Sequence, residues 1–309
     1  MPICGVVQTY LVGLKSQLRT EIETHGKPLC YMKGTFWVCP HDPYFAMTKS
    51  AQSVDGLNPN TLYYPTVFVW LPHLLDLSPL RCKNVECQQK NCVLTVKGWN
   101  DNPVARHVVA LDDVYYVMTM RMQCGVHTGG CGKSWNLYDP VVMEQLDPAL
   151  SSAFPAFLTH RSGIDKTVMT LVRAGMAHRV SASGWSKIFR ELHVRKHDIL
   201  ELDYLNAIHC IRKKAEALRL AENPSYMPFS AFGDKDGYAG FSPSRWYLNA
   251  VYMDYMEHIR PILDQCVAAL TGYIIKWDHS FKLPKLLMKL DGSETFSTFF
   301  TLLNEVEQI

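Results

Sequence analysis

Val114-Tyr-Tyr-Val-Met-Thr-Met-Arg-Met122 runs, one residue later, into Cys124-Gly-Val-His-Thr-Gly-Gly-Cys131. The first segment is rich in the aromatic and branched residues that fit a pleated strand. It delivers Cys124 toward an earlier pair, Cys82-Lys-Asn-Val-Glu-Cys87. Cys82, Cys87, Cys124 and Cys131 together offer four thiolates, the donor set of one tetrahedral zinc. Between the pairs, residues 93–99 and 105–113 read as two further strands, ending on a glycine turn and on Asp112-Asp113. The pattern predicts an antiparallel meander of three strands clasped by metal, a zinc ribbon over residues 81–138. So small a sheet is marginal alone and draws folding energy from the ion.

The spacings C-x4-C and C-x6-C are looser than the two-residue knuckles of common ribbons. Cys92 and His127 lie near enough to replace any one ligand, and a metal-free reading stays open. A site closed by four thiolates leaves no position for water, so the Zn2+ expected here is structural.

Composition sets the frame. With 309 residues and 48% apolar side chains, the chain buries a sizeable core and has room for two or three modules. The start lacks a basic segment followed by an apolar run, and no apolar stretch reaches membrane-spanning length. The expectation is an intracellular protein without a membrane partner, in which the paired cysteines among its ten hold metal rather than form disulfides. The net charge of +2 counts against nucleic-acid binding. Its distribution counts for it, because residues 159–220 carry twelve Lys or Arg against six acids.

Four stretches follow. Residues 1–80, punctuated by aromatics and prolines, predict short strands and turns of unassigned role. Cys30, Cys39 and His41 there fit buried thiols and a loop histidine better than a second metal site. Residues 81–138 are the ribbon. Residues 139–270 predict helices: a short one after Asp147-Pro148, then two amphipathic ones over 165–173 and 183–193, compatible with a helix-turn-helix. Lys187, Arg190, His193 and Arg195 would then face phosphate, the alternative being a bundle with a solvated basic face. A further helix is expected over 198–219, a loop or linker over 223–243, and a long helix over 246–269. Residues 271–309 predict strands, the first finishing on Asp278. An acid at such a strand end is the usual place of a carboxylate in two-metal nucleases, though for one acid alone a turn hydrogen bond is the ordinary explanation.

The order of these parts carries a resemblance. Leu94-Thr-Val-Lys-Gly-Trp99 with Val114-Tyr-Tyr116, then Leu150-Ser-Ser-Ala-Phe-Pro-Ala-Phe-Leu-Thr-His-Arg-Ser-Gly-Ile-Asp165, then Ile188-Phe-Arg-Glu-Leu-His193, resembles an uncharacterised family of transposase-derived proteins. In that family a domain of unknown function with a zinc ribbon precedes an RNase H-like transposase domain. Lys276-Trp-Asp-His-Ser-Phe-Lys282 and Leu302-Leu-Asn-Glu305 look like its first catalytic strands. The resemblance implies Cys82, Cys87, Cys124 and Cys131 as zinc ligands, Asp278 as the first acid of a DDE-type triad, DNA as partner and the nucleus as location. It implies Mg2+ only with a complete catalytic domain, whose other acids fall on strands later than this sequence reaches. Asp291, Glu294, Glu305 and Glu307 come too early to replace them.

The expected fold is therefore α+β: a small zinc β-ribbon, a helical middle with a possible helix-turn-helix, and an incomplete RNase H-like sheet at the C-terminus. The expected function is binding nucleic acid without catalysis, with no small-molecule substrate evident. Two alternatives are a DDE-type transposase or nuclease active only in a longer product or complex, and a zinc-ribbon module that binds protein.

Overall fold

A computed structural model describes residues 5–51, 57–75, 78–89, 91–126, 129–160, 162–217, 226–269, 276–280 and 299–303. Residues 1–251 form one compact unit and residues 252–309 another. The first unit opens with α1 (Gly5–His25), α2 (Leu29–Met32), β1 (Trp37–Val38), α3 (Pro43–Ala51) and β2 (Val67–Trp70). It continues through β3 (Leu94–Trp99), β4 (Arg106–Val109), β5 (Val114–Cys124) and β6 (Ser134–Asn136). Then come α4 (Pro140–Met143), α5 (Pro148–Ser152), β7 (Ala156–Leu158), β8 (Gly163–Asp165), α6 (Lys166–Ala177), α7 (Ala182–Ala217) and the start of α8 (Arg245–Ala268). The second unit holds the rest of α8, β9 (Lys276–Ser280) and β10 (Phe299–Leu303). The protein is mixed α+β.

β5 is the spine. Residues 116–119 pair with β2 in parallel and residues 114–117 with β4 in antiparallel, and β4 continues to β8 and β7. Beyond Thr119 the partners change: β3 and β6 flank residues 120–124, both antiparallel. Burial follows the change of partners. Tyr115 to Met120 are buried without a break, as in a strand covered on both faces, whereas Met122 and Cys124 alternate with the half-buried Arg121 and Gln123. The expected three-strand meander is thus replaced by a larger mixed sheet, because β3 and β4 pair with different halves of one strand. That sheet draws strands from all of the stretches expected at 1–80, 81–138 and 139–270.

Two helices cover this core. The strands and turns expected at the start give way to α1, whose Val7, Leu11, Leu14 and Leu18 recur at helical spacing and are all buried with the sheet. Gly26, at φ +74°, closes that helix in the left-handed conformation. α6 is capped by Asp165, which accepts from the Thr167 and Val168 amides and from the Tyr115 hydroxyl.

α7 also differs from expectation. The helices expected over 183–193 and 198–219 are one continuous element of 36 residues. Its buried stripe of Trp185, Phe189, His193, His197 and Tyr204 keeps it unbroken against the rest of the unit. The expected linker over 223–243 is, in its described part, a strap lying along this stripe. Ser186 and Tyr204 donate to the Pro243 and Met227 carbonyls at 2.8 and 2.6 Å, and His193 and His197 face those of Phe241 and Ser230 at 2.7 and 2.8 Å. The strap runs antiparallel to the helix, every tie a side chain meeting a main-chain oxygen.

In the second unit β9 and β10 form a two-stranded antiparallel pair. Asp278 is the middle residue of β9, opposite Thr301, rather than its end.

Candidate metal centre

The centre forms where three pieces of chain meet. The first is a closed loop. Leu94 donates to the Leu80 carbonyl and Cys82 to the Cys92 carbonyl, both at 2.8 Å, and Arg81 bridges Val93, so the ends of the loop pair like strands. Gln145 grips Arg81 from outside, accepting from its amide at 2.8 Å and donating to its carbonyl at 3.1 Å. Within the loop Cys87 donates its amide to Asn84 in a turn, and Asn91 takes the left-handed conformation at φ +61°. Three cysteines, Cys82, Cys87 and Cys92, thereby face one point.

The second piece is the end of β5. Leu94 stands opposite Cys124, so Cys92, two residues earlier, falls beside it. The third is the turn from β5 to β6, where Cys124 donates to the Lys133 carbonyl at 2.9 Å and Gly132 to that of Cys124 at 3.0 Å. A Cβ on Gly130 would collide with the Cys124 sulfur and the Gly125 carbonyl, so only glycine lets this turn close. The turn brings the Cys131 amide within 3.3 Å of the Cys124 Sγ, to which it donates.

The sulfurs of Cys82, Cys87, Cys92 and Cys124 lie within 4.8 Å of one another, a cluster able to hold a metal ion and compatible with zinc. Cys131 is its neighbour, 3.8 Å from the Cys82 sulfur. Cys87 and Cys124 are also 3.8 Å apart, and Cys92 is only 2.7 Å from Cys124. Burial, then the neighbouring thiols, push Cys82 up to about 12, and the adjacent Cys124 pushes Cys92 up to about 12. The Asn84 side chain and then the Lys133 amide draw Cys131 down to about 6. Thiols raised in this way hold their protons until a cation displaces them, so a metal ion bound at Cys82 and Cys92 would release protons.

The other expected site residues separate. Lys187, Arg190 and Arg195 are exposed on α7. His193 is not with them. It is 3% exposed and its ring lies between the carbonyls of Phe241 and Ala110, at 2.7 and 3.2 Å, so it cannot meet phosphate. Cys30 is buried in the core while Cys39 and His41 are exposed, so those three do not converge. His127, Asp291, Glu294, Glu305 and Glu307 lie outside the described residues.

Two groups went unread in the sequence. Cys92 entered only as a substitute, although C-x4-C-x4-C over 82–92 repeats one spacing. His197, Asp198 and Glu201 also bring their donor atoms together, and a histidine and a glutamate four residues apart on a helix were the available sign.

The architecture defines a mixed α+β protein with a cysteine cluster at one end of its central strand. Residues 30–232 match the family described as Domain of unknown function (DUF6729), and the chain belongs to that family. No curated protein and no solved structure was found to match it.

Proposed function

We propose that this protein is a zinc-clasped nucleic-acid-binding protein of transposase descent, acting in the nucleus, with Cys82, Cys87, Cys124 and Cys131 as the ligands of a structural zinc. One observation carries the zinc assignment. Thiolates about 2.3 Å from a tetrahedral zinc stand about 3.8 Å from one another. That is the separation of Cys82 from Cys131 and of Cys87 from Cys124. Cys92, 2.7 Å from Cys124 and inside the same four-sulfur cluster, is the alternative to Cys131 as fourth ligand. Four thiolates saturate the ion, so its role is to tie the 82–92 loop to the end of β5.

The binding surface is then the protein's own cations. Lys187, Arg190 and Arg195 offer exposed charges along α7. A groove of about 600 Å³ between α1 and β3, beside the zinc module, is lined by Lys15, Arg19, Lys97 and Arg121 around Trp99. Cations with an aromatic face suit a phosphate backbone and a stacked base. Asp101 and Glu23 pair with Lys15 and Arg19, and Asp101 also feels the Arg121 charge, so four cations face two carboxylates in the groove.

Fluorescence anisotropy of labelled DNA with the zinc-loaded protein, repeated over a salt series, tests the reading. Affinity that falls log-linearly with salt supports it, and binding that is absent or indifferent to salt sinks it. The protein-interaction reading has one observation in its favour. Tyr44 and Phe45 on α3 are 68% and 65% exposed and in edge contact with each other, a small aromatic anchor of the kind found at interfaces.

A further inference from the structure

We infer that α7 carries a second cation site, built by His197, Asp198 and Glu201, which takes a divalent ion of the Mn2+ class. His197 is 5% exposed, and its Nε2 lies 2.8 Å from the Ser230 carbonyl oxygen. A carbonyl only accepts, so in the neutral ring Nε2 bears the proton and Nδ1 presents its lone pair. That lone pair meets another acceptor, Asp198 Oδ1, 3.0 Å away. Two lone pairs facing each other at this distance need a positive charge between them, supplied either by a second ring proton or by a metal ion.

The third group favours the metal ion. Glu201 is one turn further along the helix, and its carboxylate, the Asp198 carboxylate and His197 Nδ1 all lie within 4.8 Å of one another. A shared proton requires two groups, whereas a cation gathers three. Cis ligands about 2.1 Å from a metal stand about 3.0 Å apart, which is the observed Nδ1 to Oδ1 separation. The Ser230 carbonyl is also the outer partner that a metal-bound histidine ordinarily has, fixing its tautomer and the angle of its ring.

The surroundings fit the same occupant. Phe229, Phe232 and Tyr238 hold the imidazole edge-on, with ring centres 5.3, 5.9 and 4.7 Å away. Burial, then the carboxylates of Asp113, Asp112 and Asp198, hold the Tyr238 phenol well above its usual range, so the neighbourhood is negative. Asp234 and Glu201 act on Tyr63 in the same sense, after burial. The adjacent cation, Lys196, is paired with Asp113 at 2.7 Å. One imidazole and two carboxylates are hard to borderline donors that leave coordination positions open, which favours Mn2+ or Fe2+ here and leaves thiophilic ions to the cysteine cluster.

Mn2+ titrated into the zinc-loaded full chain, followed by loss of the free-ion EPR signal, tests the site. The expected result is a single Mn2+ per chain. Asp198→Asn and Glu201→Gln should each weaken it by more than the roughly tenfold cost of losing a supporting partner, with zinc content and Tm unchanged. Asp198 is exposed and Glu201 half-buried, so loss of binding in either variant is not loss of the fold. Wild-type protein that leaves the EPR signal intact has a proton in the gap and overturns the inference. So does Mn2+ binding of equal strength in both variants, which puts the ion elsewhere.

Discussion

Leu94 stands opposite Cys124 in the register of β3 and β5, and Leu94 also donates to the Leu80 carbonyl. Those two pairings draw the 82–92 loop over the end of the central strand. The sulfur cluster is therefore a product of strand register, able to hold a metal ion where it stands.

Metal content should divide the five thiols. Purified protein is expected to hold one zinc per chain, lost in Cys82→Ser and Cys124→Ser. Cys131→Ser should lower zinc affinity, whereas Cys92→Ser should retain it. Elemental analysis after dialysis against a graded chelator reads both, and the opposite order would move the fourth ligand from Cys131 to Cys92.

Gly130→Ala should damage the same centre without touching a ligand. The added methyl meets the Cys124 sulfur and the Gly125 carbonyl, and overpacking of this kind costs about 1–3 kcal/mol. Urea unfolding of the zinc-loaded variant measures the loss.

Tyr31 spans two main-chain groups, donating to the Val69 carbonyl at 2.9 Å and accepting from the Leu71 amide at 2.8 Å. Tyr31→Phe leaves both without that partner, for a loss of about 1–3 kcal/mol in chemical denaturation. Nucleic-acid affinity of the folded variant should not change.

The basic face of α7 predicts a graded response. Alanine at Lys187, Arg190 and Arg195 should weaken DNA binding, with the salt slope falling by about one for each phosphate contact removed. His193→Ala should instead lower Tm, because its ring ties α7 to Phe241 and Ala110.

Acid should destabilise the fold through two histidines. Burial pushes His73 and His107 down to about 4, and His73 Nδ1 and His107 Nε2 have no hydrogen-bond partner among the described residues. An unfolded imidazole titrates near 6.5, so between pH 6.5 and 4 the unfolded chain binds more protons and stability falls as pH drops. Each contributes on the order of 3 kcal/mol at neutral pH, fully present above about 6.5. His107→Phe should flatten the profile in that window, and its difference from wild type separates the imidazole from acid release of zinc.

The parts legible in the sequence were those set locally. The run from Val114 to Cys124 announced its strand by composition, Asp147 and Pro148 announced a helix start, and the cysteine spacings announced a cluster. α1 was legible too, since Val7, Leu11, Leu14 and Leu18 keep helical spacing, but the prolines and aromatics after Gly34 drew the whole region toward strands. What could not be read is non-local. The parallel pairing of β2 with β5 joins segments about fifty residues apart, and no local pattern specifies it. His193 looked like a phosphate contact because it follows Lys187 and Arg190. Its real partners, Ala110 and Phe241, lie 83 and 48 residues away.

β5 also fixes where the chain tolerates a change in length. A strand slipped by one residue turns every side chain to the other face, and four neighbouring strands read this one along its length. Ahead of Arg121, an added residue would put Arg121 where Met122 is buried and a lost one would put Gln123 there, and either would shift Cys124 against the loop. Variation in length among relatives should accordingly collect in the connections and stop short of those eleven positions.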